Sequence, residues 1–448
     1  MKRRRTRGRT STFARAAVTA ALVVPLLAVT AACGDPAPAA RATPLPVRIG
    51  AIYNLTGDQS ALDSPSLDGA RLAVERINAR GGLLGRRVEL LERDGQTSAA
   101  NVRRAAASLV ASGVTAIVGL SDTDQVLAAA PIAARAGVPF VTSGATSPRL
   151  TEQVPDWLFL ACFGDNTQAA ASAQYASDRL GARTAAVLYD KDLDYTRLLA
   201  KYFTRSLRAQ GGRVLVSADF ENASHAIQRL DDGGSSSEGA AGEEGEEASG
   251  GSDASSGGES AGGEQSSESS GKATDTANQA ATADVLFVAA GPEDAPRIVR
   301  DLRAAGYRQP IMGGDSFDSA ALISAAEKSG GKVYYTTHSA VGMNTASNAV
   351  RRFDASFRAA YGRLPQSAFA GLGYDAVGLV ASAVRRADSA EPSKVRDAIQ
   401  ATRHYPGVTG TLSFDGEDRV PRKKVTVVCV GRRPVVVAQF TPGFVADP

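Results

Sequence analysis

Three cysteines, three methionines, three histidines and one tryptophan are few for 448 residues. So little cysteine excludes a disulfide-built scaffold. The histidines, His225, His338 and His404, lie far apart and share no metal-ligand spacing, so no metal site is expected. Also missing are the GxSxG elbow, the Walker P-loop and HExxH. The run GGLLGR (81–86) lacks the dinucleotide-binding glycine spacing and precedes a strand, not a helix. Neither an enzyme nor a bound cofactor is therefore expected. Charge of one sign is scarce too: 50 Lys and Arg stand against 47 Asp and Glu. No basic face is available for nucleic acid. Hydrophobic residues at 43% and charged residues at 22% are ordinary globular values and exclude global disorder.

What is present is unevenly distributed. Seven basic residues (Lys2, Arg3, Arg4, Arg5, Arg7, Arg9, Arg15) precede an apolar run, Ala16 to Ala32, with no acid among them. That run is short for a membrane span and contains Pro25, so residues 1–32 read as a cleaved signal. It ends in TAAC, which resembles the lipobox of bacterial lipoproteins, with Cys33 as the lipidated residue. Residues 33–46, rich in Pro and Ala, read as a tether. No second hydrophobic segment of spanning length follows, which places the mature chain outside the membrane, anchored to its outer face through Cys33. The other composition break is 233–282. This stretch is mostly Gly, Ser, Ala and Glu, and holds ten acids and the single base Lys272. It cannot bury enough apolar area to offset its ordering entropy, so it reads as a disordered insert.

Elsewhere strands and helices alternate. Strands are expected at 47–52, 88–92, 114–119, 138–142, 185–189, 213–217, 284–289 and 310–312. Helices fall between them, at 66–80, 98–112, 124–136, 166–180, 194–209, near 222–231, and at 293–305. Helices at 318–328, 346–360, 367–386 and 393–402 follow, with closing strands at 411–414, 424–430 and 434–439. Repeated βα units of this length imply parallel sheets covered on both faces, and two runs of them imply two doubly wound α/β lobes.

In such sheets ligands bind beyond the carboxyl ends of strands. The loop SGATSP (143–148) offers Gly144, the Ser143, Thr146 and Ser147 hydroxyls and nearby backbone N–H groups. These suit a carboxylate, or simply cap the next turn. LSDTDQ (120–125) carries Thr123 between two acids and reads equally as a helix cap. GGDSFD (313–318) places Asp315 where a cation could be held, or where a helix begins. Cys162 and Cys429 could pair in an exported protein or stay buried as thiols.

Six segments carry a resemblance: VRIGAIYNLTG (47–57), DGARLAVERINARGGLLGRRVEL (68–90), GVPFVTSGATSPRLTE (137–152), YDKDLDYTRLLA (189–200), GYDAVGL (373–379) and GVTGTLSFD (407–415). The chain resembles class 1 solute-binding proteins of ABC importers, of the leucine/isoleucine/valine-binding type. The resemblance implies the type I periplasmic binding protein fold, with three crossings near 161–163, 336–338 and 410–412. The N-terminal lobe would then be 47–161 with 338–410, and the C-terminal lobe 162–337 with 411–448. It implies a small-molecule ligand, an amino acid above all, whose carboxylate meets Thr123, Gly144 and Thr146 and whose ammonium meets Asp315. Tyr195 aligns with a pocket tyrosine. Tyr53, Asn54, Leu62 and Ser143 fall at further pocket positions. Tyr53-Asn54 stands where the family has small residues and Leu62 where it has a tyrosine, which puts branched-chain selectivity in doubt. The partners implied are ABC permease and ATPase subunits, and the binding protein itself would be a monomer. A ligand-sensing protein on the same fold and a lipid-anchored enzyme are the alternatives.

Overall fold

The computed structural model describes residues 44–220, 278–345, 347–414 and 419–448. The signal, Cys33, most of the tether, most of the acidic insert and the helix expected near 222–231 lie outside these residues. No described helix is long and apolar enough to cross a membrane.

The first sheet holds β1 (Val47–Tyr53), β2 (Val88–Asp94), β3 (Ala116–Gly119), β4 (Phe140–Thr142) and β5 (Leu158–Leu160), in the order β2-β1-β3-β4-β5. Every pairing is parallel. Helices α1 (Ser60–Asn78), α2 (Ala99–Ala111) and α3 (Thr123–Arg135) link successive strands. Side chains from both faces of the sheet are buried, in two separate cores. That is why its strands read as continuous apolar runs and not as alternating ones.

Past the short helix α4 (Leu150–Gln153) and β5, the chain crosses to a second α/β layer. There follow α5 (Asp165–Arg179), β6 (Thr184–Tyr189), α6 (Asp194–Ala209), β7 (Arg213–Asp219), β8 (Val285–Ala289), α7 (Asp294–Ala304), β9 (Ile311–Gly313), α8 (Ala320–Ser329) and β10 (Val333–Thr337). The chain then returns to the first lobe for α9 (Asn348–Tyr361), α10 (Phe369–Ala387), α11 (Pro392–Gln400) and the ribbon β11 (Tyr405–Gly407) with β12 (Gly410–Leu412). Strands β13 (Val425–Val430) and β14 (Pro434–Phe440) complete the second sheet, ordered β14-β13-β10-β9-β8-β6-β7. The last two strands are antiparallel and the rest parallel. The two-lobed α/β architecture expected from sequence is the one observed.

Several expectations need correction. Helix α1 begins at Ser60, not 66, and takes Pro65 inside it. Strand β10 was not expected, although VYYTT is β-branched and aromatic and forms an inner strand of the second sheet, between β13 and β9. The short strands β5 and β11 were also missed. Residues 278–282, assigned to the insert, are helical, and Ala280 packs into the second lobe's core. The third crossing does not fall at 410–412. Leu412 and Phe414 are buried in the first lobe's core, and the chain joins the second sheet only at Val425.

Glycines set the closest helix contact in the first lobe. A Cβ on Gly69 of α1 would stand 1.8 Å from the Ala370 carbonyl oxygen of α10, and one on Gly373 would stand 1.8 Å from that of Ser66. The two backbones touch there, and only glycine permits it. These are glycines of the 68–90 and 373–379 segments, so part of what makes those segments recognisable is this contact.

Candidate functional site

Strands β3 and β4 both end in tight loops at the cleft. The Thr142 hydroxyl donates to the Leu120 carbonyl at 2.9 Å and accepts the Ala145 N–H at 3.0 Å. The N–H groups of Ser143 and Gly144 donate to the Gly119 and Leu120 carbonyls at 3.1 and 3.2 Å. Three of the backbone donors expected to await a carboxylate are thus committed to holding the loop, which leaves those of Thr146 and Ser147. Gly144 is required by packing: a Cβ there would lie 2.6 Å from the Phe369 ring.

Across the cleft, β9 ends at Gly313 and the chain turns into a single 3-10 turn, Asp315–Phe317. The Asp315 carboxylate is the centre of a buried network. Its Oδ1 accepts from Gln168 Nε2 and from the Tyr195 hydroxyl, both at 2.9 Å, and its Oδ2 lies 2.9 Å from His338 Nε2. Its own N–H donates to Gln168 Oε1 at 2.9 Å. His338 stacks on Phe163 with ring centroids 3.9 Å apart. Asp315 is only 2% exposed, and three of the roughly four positions at which its carboxylate accepts are already taken by the protein, which leaves one for a ligand cation. The network reaches the first lobe through Asp165, which accepts from Gln168 at 3.0 Å and whose N–H donates to the Thr146 carbonyl at 2.7 Å. Asp318 adds a second link, accepting from Thr337 Oγ1 at 2.7 Å and from the Ala368 N–H at 2.8 Å.

Burial shapes the protonation of these groups. It pushes Asp165 up to about 7, with the negative Asp315 adding to the rise. Asp122, which caps α3 through the Gln125 N–H at 2.9 Å, is pushed up to about 6 by burial. Asp318 is also raised to about 6 by burial. Burial lowers His338 from its ordinary value, with Asp315 opposing. The Tyr195 phenol is held well above its ordinary range by burial and by Asp315.

A small cavity lies where the lobes meet. Gln59, Leu62, Asp122, Gly144, Thr146 and Phe369 line it from the first lobe; Leu193, Tyr195, Pro292 and Asp315 line it from the second. Its volume is about 20 Å³, little more than one water occupies, so a larger solute enters only if the lobes part. Leu62, Gly144, Thr146, Tyr195 and Asp315 are therefore brought together.

Four other expected residues do not line the cavity. Thr123 opens α3 with its hydroxyl buried. Ser143 bonds Ser66, and Tyr53 lies in the core. Asn54 spends its side chain on Asp63 and on the Thr97 N–H, each at 2.9 Å, so the assignment of Tyr53 and Asn54 to the pocket is corrected by the core they build. Sequence reading missed Gln168, Gln59, Phe369 and His338 as parts of the site. His338, a lone histidine without metal-ligand spacing, carries no motif of its own. A signal was available, since it stands at a predicted crossing. Cys162 and Cys429 are free thiols, and Cys162 donates to the Ala145 carbonyl at 3.2 Å.

Residues 46–230 and 236–433 match the periplasmic binding protein family. The chain belongs to that family. Among relatives of this periplasmic binding protein, Leu/Ile/Val-binding protein homolog 3 of Brucella melitensis is 32% identical over 173 residues, 39% of this chain and 46% of that protein. The alignment thus spans less than half of the relative's length. Among solved structures, the branched-chain amino acid transporter substrate binding protein LivJ of Streptococcus pneumoniae, in complex with isoleucine, superposes with a TM-score of 0.70 at 26% identity. It covers 88% of this chain and 99% of that one. A solute binding protein of an ABC transporter from R. palustris, in complex with benzoate, shares the fold at 17% identity and a TM-score of 0.68, covering 90% of this chain and 98% of that one.

Proposed function

We propose that this protein is the extracytoplasmic substrate-binding lipoprotein of an ABC importer. It takes an amino acid, or a similar small polar solute, into the cleft and delivers it to the permease and its ATPase. The observation that carries this reading is the juxtaposition of Asp315 and Tyr195 of one lobe with Thr146 and Gly144 of the other around a single cavity. A zwitterion needs one acceptor-rich wall and one donor-rich wall. Asp315, on the second lobe, offers a carboxylate to an ammonium. The Thr146 hydroxyl and the Thr146 and Ser147 N–H groups offer donors to a carboxylate. Leu62, Leu193, Pro292 and Phe369 supply apolar contact for a side chain. The solute-binding role of the family and the isoleucine in the LivJ complex support the ligand class.

The lobes would act as a hinge. With about 20 Å³ between them when together, solute admission requires opening, and solute contacts with both walls favour closing. Cys33 would hold the molecule, as a monomer, at the outer face of the membrane. Native mass spectrometry of the protein as purified tests the reading. A retained amino acid or small polar solute at one per chain supports it; a saturating ligand with no ionic group would overturn it.

A further inference from the structure

Behind the cleft lies a second recess, of about 480 Å³, whose walls come from both lobes. Four observations give it a chemical character. Arg422 and Lys424 stand at its rim, exposed, and neither makes an ion pair among the described residues. No carboxylate is among the described residues that line it. The 14-residue helix α9 points its N-terminus there, since Ser347 and Val350 line the recess and no acid occupies the helix's first turn. Finally, Ser339 lines it with a hydroxyl that has no partner, although the residue is only 5% exposed. Lys423 adds charge nearby. Its ammonium is committed to the Ala161 carbonyl at 2.9 Å and to Thr409, with Asp375 behind them.

We propose that this recess is an anion site, separate from the solute cleft, that takes a phosphate-class oxyanion and ties the two lobes together at the hinge. The charge comes from Arg422 and Lys424, and the directed donors from the Ser339 hydroxyl and the Asn348 and Ala349 N–H groups of α9, the Val350 N–H being bonded to the Ser347 hydroxyl. His338 connects the two sites. It lines the recess, yet its Nε2 is held by Asp315, which lines the cleft. With the Nε2 proton donated to that carboxylate, the unpartnered Nδ1 is an acceptor, which suits an oxyanion that brings its own proton, as hydrogen phosphate does. Because the walls belong to both lobes and to the second and third crossings, an anion seated there favours the arrangement in which they meet. The proposal stands whatever solute the cleft takes.

The test is calorimetric titration of the full mature chain with sodium phosphate, against sodium chloride at matched ionic strength. Saturable one-to-one phosphate binding is expected. Arg422→Gln with Lys424→Gln should weaken it at least tenfold, and Ser339→Ala by a few fold. An Arg432→Gln/Arg433→Gln control removes the same charge from the exposed turn between β13 and β14 and should leave it unchanged. Absence of saturable phosphate binding, or an equal loss in the control, would overturn the proposal.

Discussion

Asp315 Oδ2 lies 2.9 Å from His338 Nε2, so the carboxylate facing the solute cavity also fixes a ring at the crossing between lobes. The pair couples the cleft to the hinge. It also makes Asp315 structural. An acid serving only an open cleft could be neutralised without affecting stability. This one is buried with Gln168, Tyr195 and His338 around it. In Asp315→Asn the amide nitrogen must face a donor, because all three partners donate to the carboxylate. We expect a loss of about 1–3 kcal/mol, read as a fall in Tm of several degrees in calorimetry of the free protein. An unchanged Tm would mean that the network does not hold in solution.

Stability should rise as pH falls from neutral. Asp63 and Asp165 are raised to about 7 and Asp122 and Asp318 to about 6, chiefly by burial. A carboxyl with a raised folded pKa binds its proton more tightly folded than unfolded. Its contribution is complete below the unfolded value, about 4, and is lost as pH rises through 6–7. His338, lowered by burial, acts oppositely, its contribution fading below about 6.5. Lys423, lowered to about 8, acts in the same sense as His338, but its contribution begins only as pH rises through about 8. Four carboxyls outweigh one imidazole, so Tm should be higher near pH 5.5 than near pH 8. Asp165→Asn, which mimics the protonated form, should shrink that difference. A Tm that only rises with pH would contradict the burial of these groups.

Much of the fold was legible because both sheets are buried on each face, and their strands stand out as apolar runs between amphipathic helices. What escaped was short or depended on distant packing. Strand β10 was hidden because Thr336 and Thr337 dilute its apolar signal and no helix follows it directly. The third crossing was misplaced because GTLSFD reads as a strand, while only the packing of Leu412 and Phe414 shows which lobe they join. Site residues on strand-end loops, Gly144, Thr146 and Asp315, could be found by topology. Gln168 could not, because nothing in its helical context marks it; it becomes a site residue only when β9 brings Asp315 beside it.

Gly69→Ala or Gly373→Ala should break the contact between α1 and α10. Each inserts a methyl where a carbonyl oxygen stands 1.8 Å away. Overpacking of this kind costs about 1–3 kcal/mol or more, so chemical denaturation should show a lower midpoint for each. Gly85→Ala, where a Cβ meets nothing within 4 Å but φ is +70°, separates strain from crowding and should cost about 1 kcal/mol. Equal losses at all three positions would contradict the close crossing.

The proposed lipid anchor rests on TAAC at the end of the apolar run. Cys33→Ala should abolish lipidation and leave the precursor uncleaved or misprocessed. Wild-type protein should partition into detergent; its recovery in the aqueous phase would rule out the anchor.

The central claim is that the cleft clamps a small zwitterion between Asp315 and Thr146. Calorimetric titration of wild type, Asp315→Asn and Thr146→Val with the same amino acid, first identified as the retained ligand, measures it directly. One-to-one binding should weaken at least 30-fold in Asp315→Asn, about 2 kcal/mol. In Thr146→Val, which keeps the backbone donors, the loss should be about 1 kcal/mol. Unchanged affinity in a folded Asp315→Asn protein would mean that no ligand cation meets this carboxylate, and would contradict amino-acid recognition at the cleft.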